Sequence, residues 1–216
     1  MNLALFDFDG TISSSDTWTP FMRLAVRPAR LAVAQGLLLP VAIAYKLDVL
    51  SASRGRQIAT RLAFQGDDAA RVRECGAGYA RKALSQTIRT SALERVEWHR
   101  SRGDEVVVVS AALEMYLRPW CQAHGLAHIC TMLEEEHGRL TGKYVDGDCC
   151  GAEKARRIRA RYDLSRYARV YAYGDSAEDR EMLELADTKI YRGREISNWS
   201  EVTSFGHPDV TSSDQE

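Results

Sequence analysis

The chain has 216 residues, of which 27% are charged and 45% are hydrophobic, and its formal net charge is −1. This composition is ordinary for a soluble globular domain, and the length allows one well-packed core with a smaller appended unit. The small net charge, with basic residues scattered among acidic ones, argues against a nucleic-acid partner.

The five cysteines predict neither a disulfide framework nor a zinc site. An odd number without paired spacings favours reduced thiols, and the adjacent Cys149 and Cys150 lack the separation of zinc-ligand pairs. The N-terminal residues carry no basic segment of the kind that begins a signal peptide. We therefore expect a cytoplasmic protein. The sequence indicates no role for Cys149 and Cys150 and makes no prediction of oligomeric state.

The first element along the chain is a short apolar run, Leu3–Phe8, that predicts a buried strand of a parallel sheet. Residues 16–87 then show helical patterns and no convincing strand. The predicted helices of this segment are Thr17–Arg27, Ala29–Lys46, Ser53–Phe64 and Asp67–Ser85. A helical block of this length after the first strand indicates an all-helical unit inserted into a sheet domain.

One stretch of this insertion, Leu31–Tyr45, is almost entirely apolar. It is shorter than the ~20 residues that a transmembrane helix needs, and Gln35, Gly36 and Pro40 interrupt it. Two interpretations stay open. The stretch packs in a small core of the insertion, or it makes weak contact with a membrane interface.

Helices and strands alternate after residue 87. The predicted helices are Ser91–Arg102, Leu113–His124, Ala152–Tyr162 and Glu178–Ala186. The predicted strands are Glu105–Ser110, Ala168–Tyr173 and Thr188–Tyr191, with a hairpin of Ile129–Glu134 and Arg139–Val145. This order predicts an α/β fold: a Rossmann-like parallel sheet with helices on both faces and an inserted helical cap. We assign residues 1–15 and 88–196 to the core, 16–87 to the cap and 197–216 to a C-terminal tail.

Ligands of open α/β sheets bind beyond the carboxyl ends of the strands, which directs attention to three polar segments. At the first, Asp7 and Asp9 would point the same way if the strand continued, and Gly10 permits a tight turn near a bound anion. An ordinary Asp-Gly surface turn is the alternative. Two carboxylates at the end of a buried strand are costly unless a cation neutralises them.

The other two segments also carry groups suited to an anion and a cation. Ser110 follows four valines, and its hydroxyl and the amide of Ala111, at an expected helix start, could bind an anion. Asp175 could complete an oxygen-rich magnesium site, and Asp179 lies one helical turn further on. Helix capping explains these residues equally well when each is considered alone. Lys154, near the start of its helix, would alone be an ordinary surface lysine.

Taken in order, these segments resemble the four motifs of the haloacid dehalogenase superfamily. They read FDFDGT (with Gly10 and Thr11), VVVVS, GAEK (with Lys154) and YGDSAED. The resemblance extends over about residues 1–192 and is greatest to the phosphoserine-phosphatase-like branch, which has a helical cap after the first motif. It implies a phosphatase, a phosphoric monoester hydrolase, acting on a small phosphorylated substrate.

The resemblance also implies residue roles. Asp7 attacks phosphorus and forms an aspartyl-phosphate, and Asp9 is the general acid and base. The implied cofactor is Mg²⁺, bound by the Asp7 carboxylate, the Asp9 backbone carbonyl and Asp175.

The groups around the phosphate have implied roles as well. Ser110, the Ala111 amide and Lys154 bind the transferring oxygens. Asp179 supports Lys154 or the metal site, and Asp9 followed by Gly10 favours hydrolysis of a phosphate ester over dehalogenation.

The substrate is less defined. By the same resemblance, Asp16 would bind an ammonium group and Arg61 or Arg56 a carboxylate, as in phosphoserine phosphatases. This chain, however, has alanines after Ser110 where those enzymes usually have glycines, and Glu178 where they usually have asparagine. One alternative is a lipid phosphatase acting on phosphatidylglycerophosphate. Another, of a different class, is a phospho-aspartate receiver domain in signalling.

Overall fold

The computed structural model describes residues 1–30 and 51–204 of the chain. The apolar stretch Leu31–Tyr45 lies outside the described residues. So do most of the predicted helix Ala29–Lys46 and the end of the predicted tail from residue 205 onward. The proposed membrane contact of this stretch therefore stays a prediction.

The central sheet of the described residues has six strands. The strands of the structure are β1 (Leu3–Phe6), β2 (Glu105–Leu113), β3 (Ala127–Thr131), β4 (Leu133–Glu136), β5 (Arg139–Tyr144), β6 (Val170–Gly174), β7 (Thr188–Tyr191) and β8 (Arg194–Ile196). The sheet order is β3-β2-β1-β6-β7-β8, with β7 and β8 antiparallel and every other neighbouring pair parallel. Strands β4 and β5 form a separate antiparallel hairpin.

Both faces of the sheet are covered, which explains why the central strands are apolar without alternation. The helices are α1 (Trp18–Ala25), α2 (Ala52–Phe64), α3 (Ala69–Lys82), α4 (Thr90–Ser101), α5 (Glu114–Ala123), α6 (Ala152–Arg161) and α7 (Arg180–Glu184). Phe6 on one face shares a core with residues of α1, α3, α4 and α5, whereas Leu5 on the other shares a core with α6 and α7. The predicted α/β fold is confirmed.

The described helices between β1 and α4 pack over the first of these faces. Helix α3 packs closely against α5, because a Cβ atom on Gly76 would lie only 2.1 Å from the carbonyl oxygen of Met115. The two ends of the segment lie side by side, since the Ser14 amide donates to the Thr87 carbonyl oxygen at 2.7 Å. The predicted cap, residues 16–87, lies between these two positions, and its limits stay a prediction.

The β4–β5 hairpin, assigned to the core from the sequence, also contacts the insertion. The hydroxyl groups of Thr60 on α2 and Tyr144 on β5 are 2.8 Å apart. Gly142 lies against α2, where an added Cβ would be 3.0 Å from the Cα of Arg61. The hairpin therefore contacts helix α2 of the segment that the sequence assigns to the cap.

Several predicted boundaries differ from the structure. The single predicted strand Ile129–Glu134 is wrong, because this stretch divides between β3 of the central sheet and β4 of the hairpin. Strand β8 was not predicted, since three residues carry too little pattern to indicate a strand. Beyond it, residues 199–204 of the predicted tail form a 3₁₀ turn in which Trp199 packs edge-on against Tyr191.

Candidate active site

Asp7 lies at the carboxyl end of the central strand β1. Its backbone amide donates to the carbonyl oxygen of Tyr173 at 2.9 Å, which continues the pairing with β6 for one residue. The side chain is 8% exposed and accepts a hydrogen bond of 2.5 Å from Nζ of Lys154. The fold thus places a nearly buried carboxylate where open α/β sheets bind their ligands.

Lys154, in the first turn of α6, lies between two carboxylates. Its Nζ is 2.5 Å from Asp7 and 2.6 Å from Asp179, and all three side chains are nearly inaccessible. Burial alone would lower the pKa of Lys154, but Asp179 and Asp7 outweigh it and hold the pKa above its ordinary value. Lys154 therefore stays charged in the interior because two anions face it.

One ammonium group does not neutralise two carboxylates. Burial and the neighbouring Asp179 raise the pKa of Asp7 well above its ordinary value, against the opposing effect of Lys154. Asp179 behaves differently: burial would raise its pKa, but Lys154 and the backbone amides of Ser176 and Asp175 hold it below the usual range. Asp7 is thus the carboxyl group of this pair whose ionised form a further cation would favour.

Asp9 reaches the site by a different route from the one that the sequence predicted. Strand β1 ends at Phe6, and residues 8–12 form a tight turn in which Gly10 has a φ of 81°. The prediction that Asp7 and Asp9 share the face of a continuing strand is therefore wrong, although both side chains line the same cavity. The turn, and not strand alternation, brings them together.

Thr17 holds the carboxylate of Asp9. Both the amide and the hydroxyl of Thr17 donate to Oδ1 of Asp9, at 3.2 and 2.6 Å. The Thr17 hydroxyl also lies 3.2 Å from the hydroxyl of Tyr116 on α5. Burial raises the pKa of Asp9 to about 7, although the hydrogen bond from Thr17 lowers it. The group is therefore able to hold or release a proton near neutral pH.

Asp175, directly after β6, faces the turn that contains Asp9. The Thr11 hydroxyl lies 3.4 Å from its Oδ1, and Gly10 packs directly against the carboxylate. Burial and the charge of Asp179 raise the pKa of Asp175 to about 6. Gly10 and Thr11 therefore contact the Asp175 carboxylate without offering it a positive charge. Oxygen atoms of Asp175 and Asp7 lie within 4.8 Å of each other.

The carboxylates form a cluster suited to a divalent cation. Oxygen atoms of Asp7, Asp175 and Asp179 all lie within 4.8 Å of one another. Hard cations such as Mg²⁺ prefer such oxygen ligands, and the ammonium group of Lys154 contacts only two of the three carboxylates, Asp7 and Asp179. The donor set therefore fits Mg²⁺, with Asp7 and Asp175 the better ligands because Asp179 already binds Lys154 and two backbone amides.

Ser110 and Ala111 lie on the neighbouring strand and line the same cavity. Ser110 is 1% exposed, and its hydroxyl accepts a hydrogen bond from the amide of Ala112 at 3.1 Å. Strand β2 continues to Leu113 through an irregularity in its pairing with β3. The prediction that the Ala111 amide begins a helix is therefore wrong, since α5 starts only at Glu114.

These groups line a cavity of about 690 Å³ together with residues of helices α1 and α2. The residues that line the cavity are Asp7, Asp9, Asp16, Trp18, Thr19, Ala52, Gly55, Arg56, Ala59, Ser110, Ala111, Lys154, Asp175, Ser176 and Glu178. Of the two arginines considered from the sequence, Arg56 is in this set and Arg61 is not. Arg61 is exposed, and its Nε lies 3.4 Å from Gln65.

Two of the predicted substrate residues line this cavity with partners of their own. Asp16 is exposed, and its carboxylate accepts hydrogen bonds from the amides of Trp18 and Thr19 at the start of α1. Glu178 forms an ion pair with Arg56 at 3.0 Å. The sequence analysis missed Thr17 and Asp148, the second carboxylate that binds Arg56, because nothing in the local pattern connects them with the site.

Fold and site together define an α/β enzyme with an acidic cluster at the carboxyl ends of its parallel strands. The family model for haloacid dehalogenase-like hydrolases matches residues 4–184, and the chain belongs to this family. The predicted enzyme class, a phosphoric monoester hydrolase of the haloacid dehalogenase type, is confirmed at the level of the family.

The chain is also similar to individual proteins, in sequence or in fold. The chain is 30% identical over 196 residues to Protein CicA of Caulobacter vibrioides, covering 88% of this chain and 85% of that protein. Its fold is similar to that of a protein of unknown function from Bordetella pertussis Tohama I, with a TM-score of 0.75 and 23% identity over 88% of this chain and 89% of the other. A substrate-bound phosphoserine phosphatase superposes with a TM-score of 0.61 and 18% identity, covering 94% and 97% of the two chains.

Proposed function

We propose that the protein is a Mg²⁺-dependent phosphatase that hydrolyses phosphate monoesters through an aspartyl-phosphate on Asp7. The observation that carries the proposal is the position of Asp7, which is nearly buried at the end of β1, bonded to Lys154 and open to a cavity that Asp9 and Asp175 also line. Membership in the haloacid dehalogenase-like hydrolases supports it.

In the first half of the reaction, a carboxylate oxygen of Asp7 attacks the phosphorus atom and the ester P–O bond breaks. Asp9 donates its proton to the departing oxygen, so that the leaving group is a neutral alcohol. In the second half, Asp9 takes a proton from a water molecule that attacks the aspartyl-phosphate, and inorganic phosphate leaves. A pKa of about 7 suits a group that must be acid and then base.

The oxygens of the transferring phosphoryl group need positive or donating partners. Lys154 lies beside Asp7 and is positively charged, and the Ser110 hydroxyl and Ala111 amide lie on the adjacent strand β2 and line the same cavity. Groups held in place before the reaction stabilise developing charge without reorganisation. Asp179 keeps Lys154 charged and in position.

Asp7, Asp175 and the backbone carbonyl of Asp9 are the groups that we propose hold Mg²⁺. When bound, the metal offsets the repulsion between the anionic nucleophile and the anionic phosphate. The close approach of the oxygen atoms of Asp7 and Asp175, within 4.8 Å of each other, supports this role.

The proposed substrate is a small phosphorylated metabolite, and a phosphoserine-like compound is one candidate. Among the described residues, helices α1 and α2 contribute to the lining of the cavity, whose volume of about 690 Å³ is sufficient for a compact leaving group. The lipid-phosphatase alternative depends on the apolar stretch Leu31–Tyr45, which lies outside the described residues. No helix among residues 1–30 and 51–204 is both long and apolar enough to cross a membrane.

The five cysteines carry no disulfide in the structure, which favours a reducing compartment such as the cytoplasm. Thiols buried as deeply as that of Cys149, whose pKa burial raises to about 12, are poor nucleophiles. We therefore assign the chemistry to the carboxylates and not to the cysteines.

The test is steady-state hydrolysis of p-nitrophenyl phosphate with Mg²⁺, followed by a screen of phosphoserine, sugar phosphates and lipid phosphates. We expect many turnovers per protein molecule, abolished by EDTA and by Asp7→Asn, and strongly reduced by Asp9→Asn. A stable, stoichiometric phosphoprotein would support the receiver-domain alternative. Turnover that persists in Asp7→Asn would disprove the proposed nucleophile.

A further inference from the structure

Arg56, on helix α2, is bound by two carboxylates that belong to the sheet domain. Its Nε donates to Asp148 at 2.8 Å, and its Nη2 lies 3.0 Å from both oxygens of Glu178. Asp148 is itself buried and accepts a hydrogen bond from the Thr131 hydroxyl at 2.9 Å. The charge of Arg56 is therefore already neutralised by protein groups.

This arrangement changes what Arg56 offers to a substrate. A carboxylate on the leaving group would have to compete with two ion pairs, and in one of them the Asp148 side chain is only 1% exposed. Separating such an ion pair costs free energy, because it leaves a buried charge without a counter-charge. Arg56 is thus a poor receptor for a second anionic group.

The described lining of the cavity carries two further carboxylates beside the cluster at Asp7. They belong to Asp16 and Glu178, and Asp148 pairs with Arg56, which also lines the cavity. Three carboxylates against one guanidinium leave two negative charges uncompensated among these four groups. A leaving group that extends from the phosphate towards α1 and α2 meets this field, which attracts cations and repels anions.

The lining of the cavity also includes apolar residues that could contact the carbon skeleton of a leaving group. Trp18, Ala52 and Ala59 contribute apolar and aromatic surface beside the charged groups. An indole ring adds a further preference for a cation that approaches its face. The surface therefore combines apolar contact with attraction for positive charge.

We propose that the substrates are amino-alcohol phosphates, monoesters whose leaving group carries an ammonium group and no carboxylate. Glu178 and Asp148 determine this specificity by occupying Arg56 and by adding negative charge. The inference rests on the proposed phosphatase function. The ester P–O bond breaks, one water molecule is consumed, and the products are a free amino alcohol and inorganic phosphate.

The first test compares ethyl phosphate, O-phosphoethanolamine and O-phosphoserine on the wild-type enzyme with Mg²⁺. These esters add to a common skeleton first an ammonium group and then a carboxylate. We expect kcat/KM for phosphoethanolamine to exceed both others by about tenfold at low salt, as one partly screened charge interaction allows. The margin should shrink as ionic strength rises. Phosphoserine hydrolysed as well as phosphoethanolamine would overturn the inference.

The second test measures the same ratios in Glu178→Gln. This change removes one negative charge and frees part of Arg56, so the preference for phosphoethanolamine over phosphoserine should fall by about tenfold. Ratios within one variant cancel any loss of overall activity. The control is Glu184→Gln, an exposed carboxylate on α7 that pairs with Arg180 and does not line the cavity. An unchanged ratio in Glu178→Gln would contradict the role of this residue.

Failure of the inference is distinguishable from failure of the proposed function. If p-nitrophenyl phosphate is hydrolysed and the three esters show no preference by charge, the phosphatase stands and the specificity is wrong. If no monoester is hydrolysed with Mg²⁺, the proposed function falls and the inference falls with it.

Discussion

Gly10 and Asp175 lie so close that a Cβ atom added to Gly10 would be 2.1 Å from Oδ2 of Asp175. The backbone at Gly10 also has a φ of 81°, which side-chain-bearing residues rarely adopt. Both the backbone conformation and the lack of space for a Cβ atom therefore favour glycine at position 10. The contact joins the turn after β1 to the segment after β6, and so fixes the distance between Asp9 and Asp175.

We predict that Gly10→Ala abolishes phosphatase activity and weakens the activation by Mg²⁺, because the methyl group must displace the Asp175 carboxylate. A matched control is Gly193→Ala, where φ is 76° but no atom lies within 4 Å of the added Cβ. It should cost about 1–2 kcal/mol of unfolding free energy and keep its activity. Thermal unfolding and an Mg²⁺ titration of activity measure both variants. Equal activity in the two would show that the contact with Asp175 is unimportant.

Replacement of Lys154 by methionine should reduce kcat by about 10²–10³-fold, the usual effect of removing one donor to a developing anion. It also leaves Asp7 and Asp179 without their shared cation, so unfolding free energy should fall by about 3–5 kcal/mol. Activity assays and urea unfolding provide the measurements. Lys143→Met is the control, because that side chain is 68% exposed and lies 4.0 Å from its partner Glu134. Near-normal kcat in Lys154→Met would remove the lysine from the mechanism.

The parts of the site that could be predicted from the sequence lie next to buried strands. Asp7, Ser110 and Asp175 each follow a run of apolar residues, and parallel strands bring their carboxyl ends to one edge. Local pattern and sheet topology are sufficient to bring these three together. The family motifs added Lys154, which composition alone would leave as a surface residue.

The parts that could not be predicted depend on contacts between distant segments. Arg56 meets Asp148 and Glu178, which are 92 and 122 residues further along the chain. The hydrophobic periodicity of the sequence cannot predict such a contact, because the contact depends on how helix α2 packs relative to the sheet. The continuation of β2 to Leu113 is similar, because its irregular pairing with β3 overrides the local preference for a helix.

Thr17 should act as a positioning residue for Asp9. Thr17→Val keeps the size of the side chain but removes the hydroxyl that donates to Oδ1 of Asp9 at 2.6 Å. We expect kcat to fall by about tenfold with little change in KM, the pattern of an interaction that matters in the transition state. Thr17→Ser retains a hydroxyl and should recover most of kcat. A purely structural role would lower stability in Thr17→Val without this separation of kcat from KM.

Protonation of the buried His99 should make the stability of the protein depend on pH. His99, on α4, is buried between Asp104 and the hydroxyl of Tyr173, at 2.8 and 2.9 Å. Burial lowers the pKa of His99 below 6.5, although its hydrogen bond with Asp104 opposes the shift. The folded state thus binds fewer protons than the unfolded chain below about pH 6.5. The contribution of neutral His99 to the free energy of unfolding is complete above about pH 6.5. It is lost as the pH falls towards the pKa of His99 in the folded state.

We therefore expect the wild type to lose unfolding free energy between pH 7 and 5 more steeply than His99→Gln, by at most about 1.4 kcal/mol per pH unit. The comparison is necessary because buried carboxylates such as Asp9, with a raised pKa, add a slope of opposite sign to both proteins. Asp104 has a lowered pKa, so it acts only at more acidic pH. The control is His137→Gln, which removes an exposed imidazole outside this network. Parallel pH curves for the wild type and His99→Gln, from urea unfolding at each pH, would show that His99 is not the titrating group.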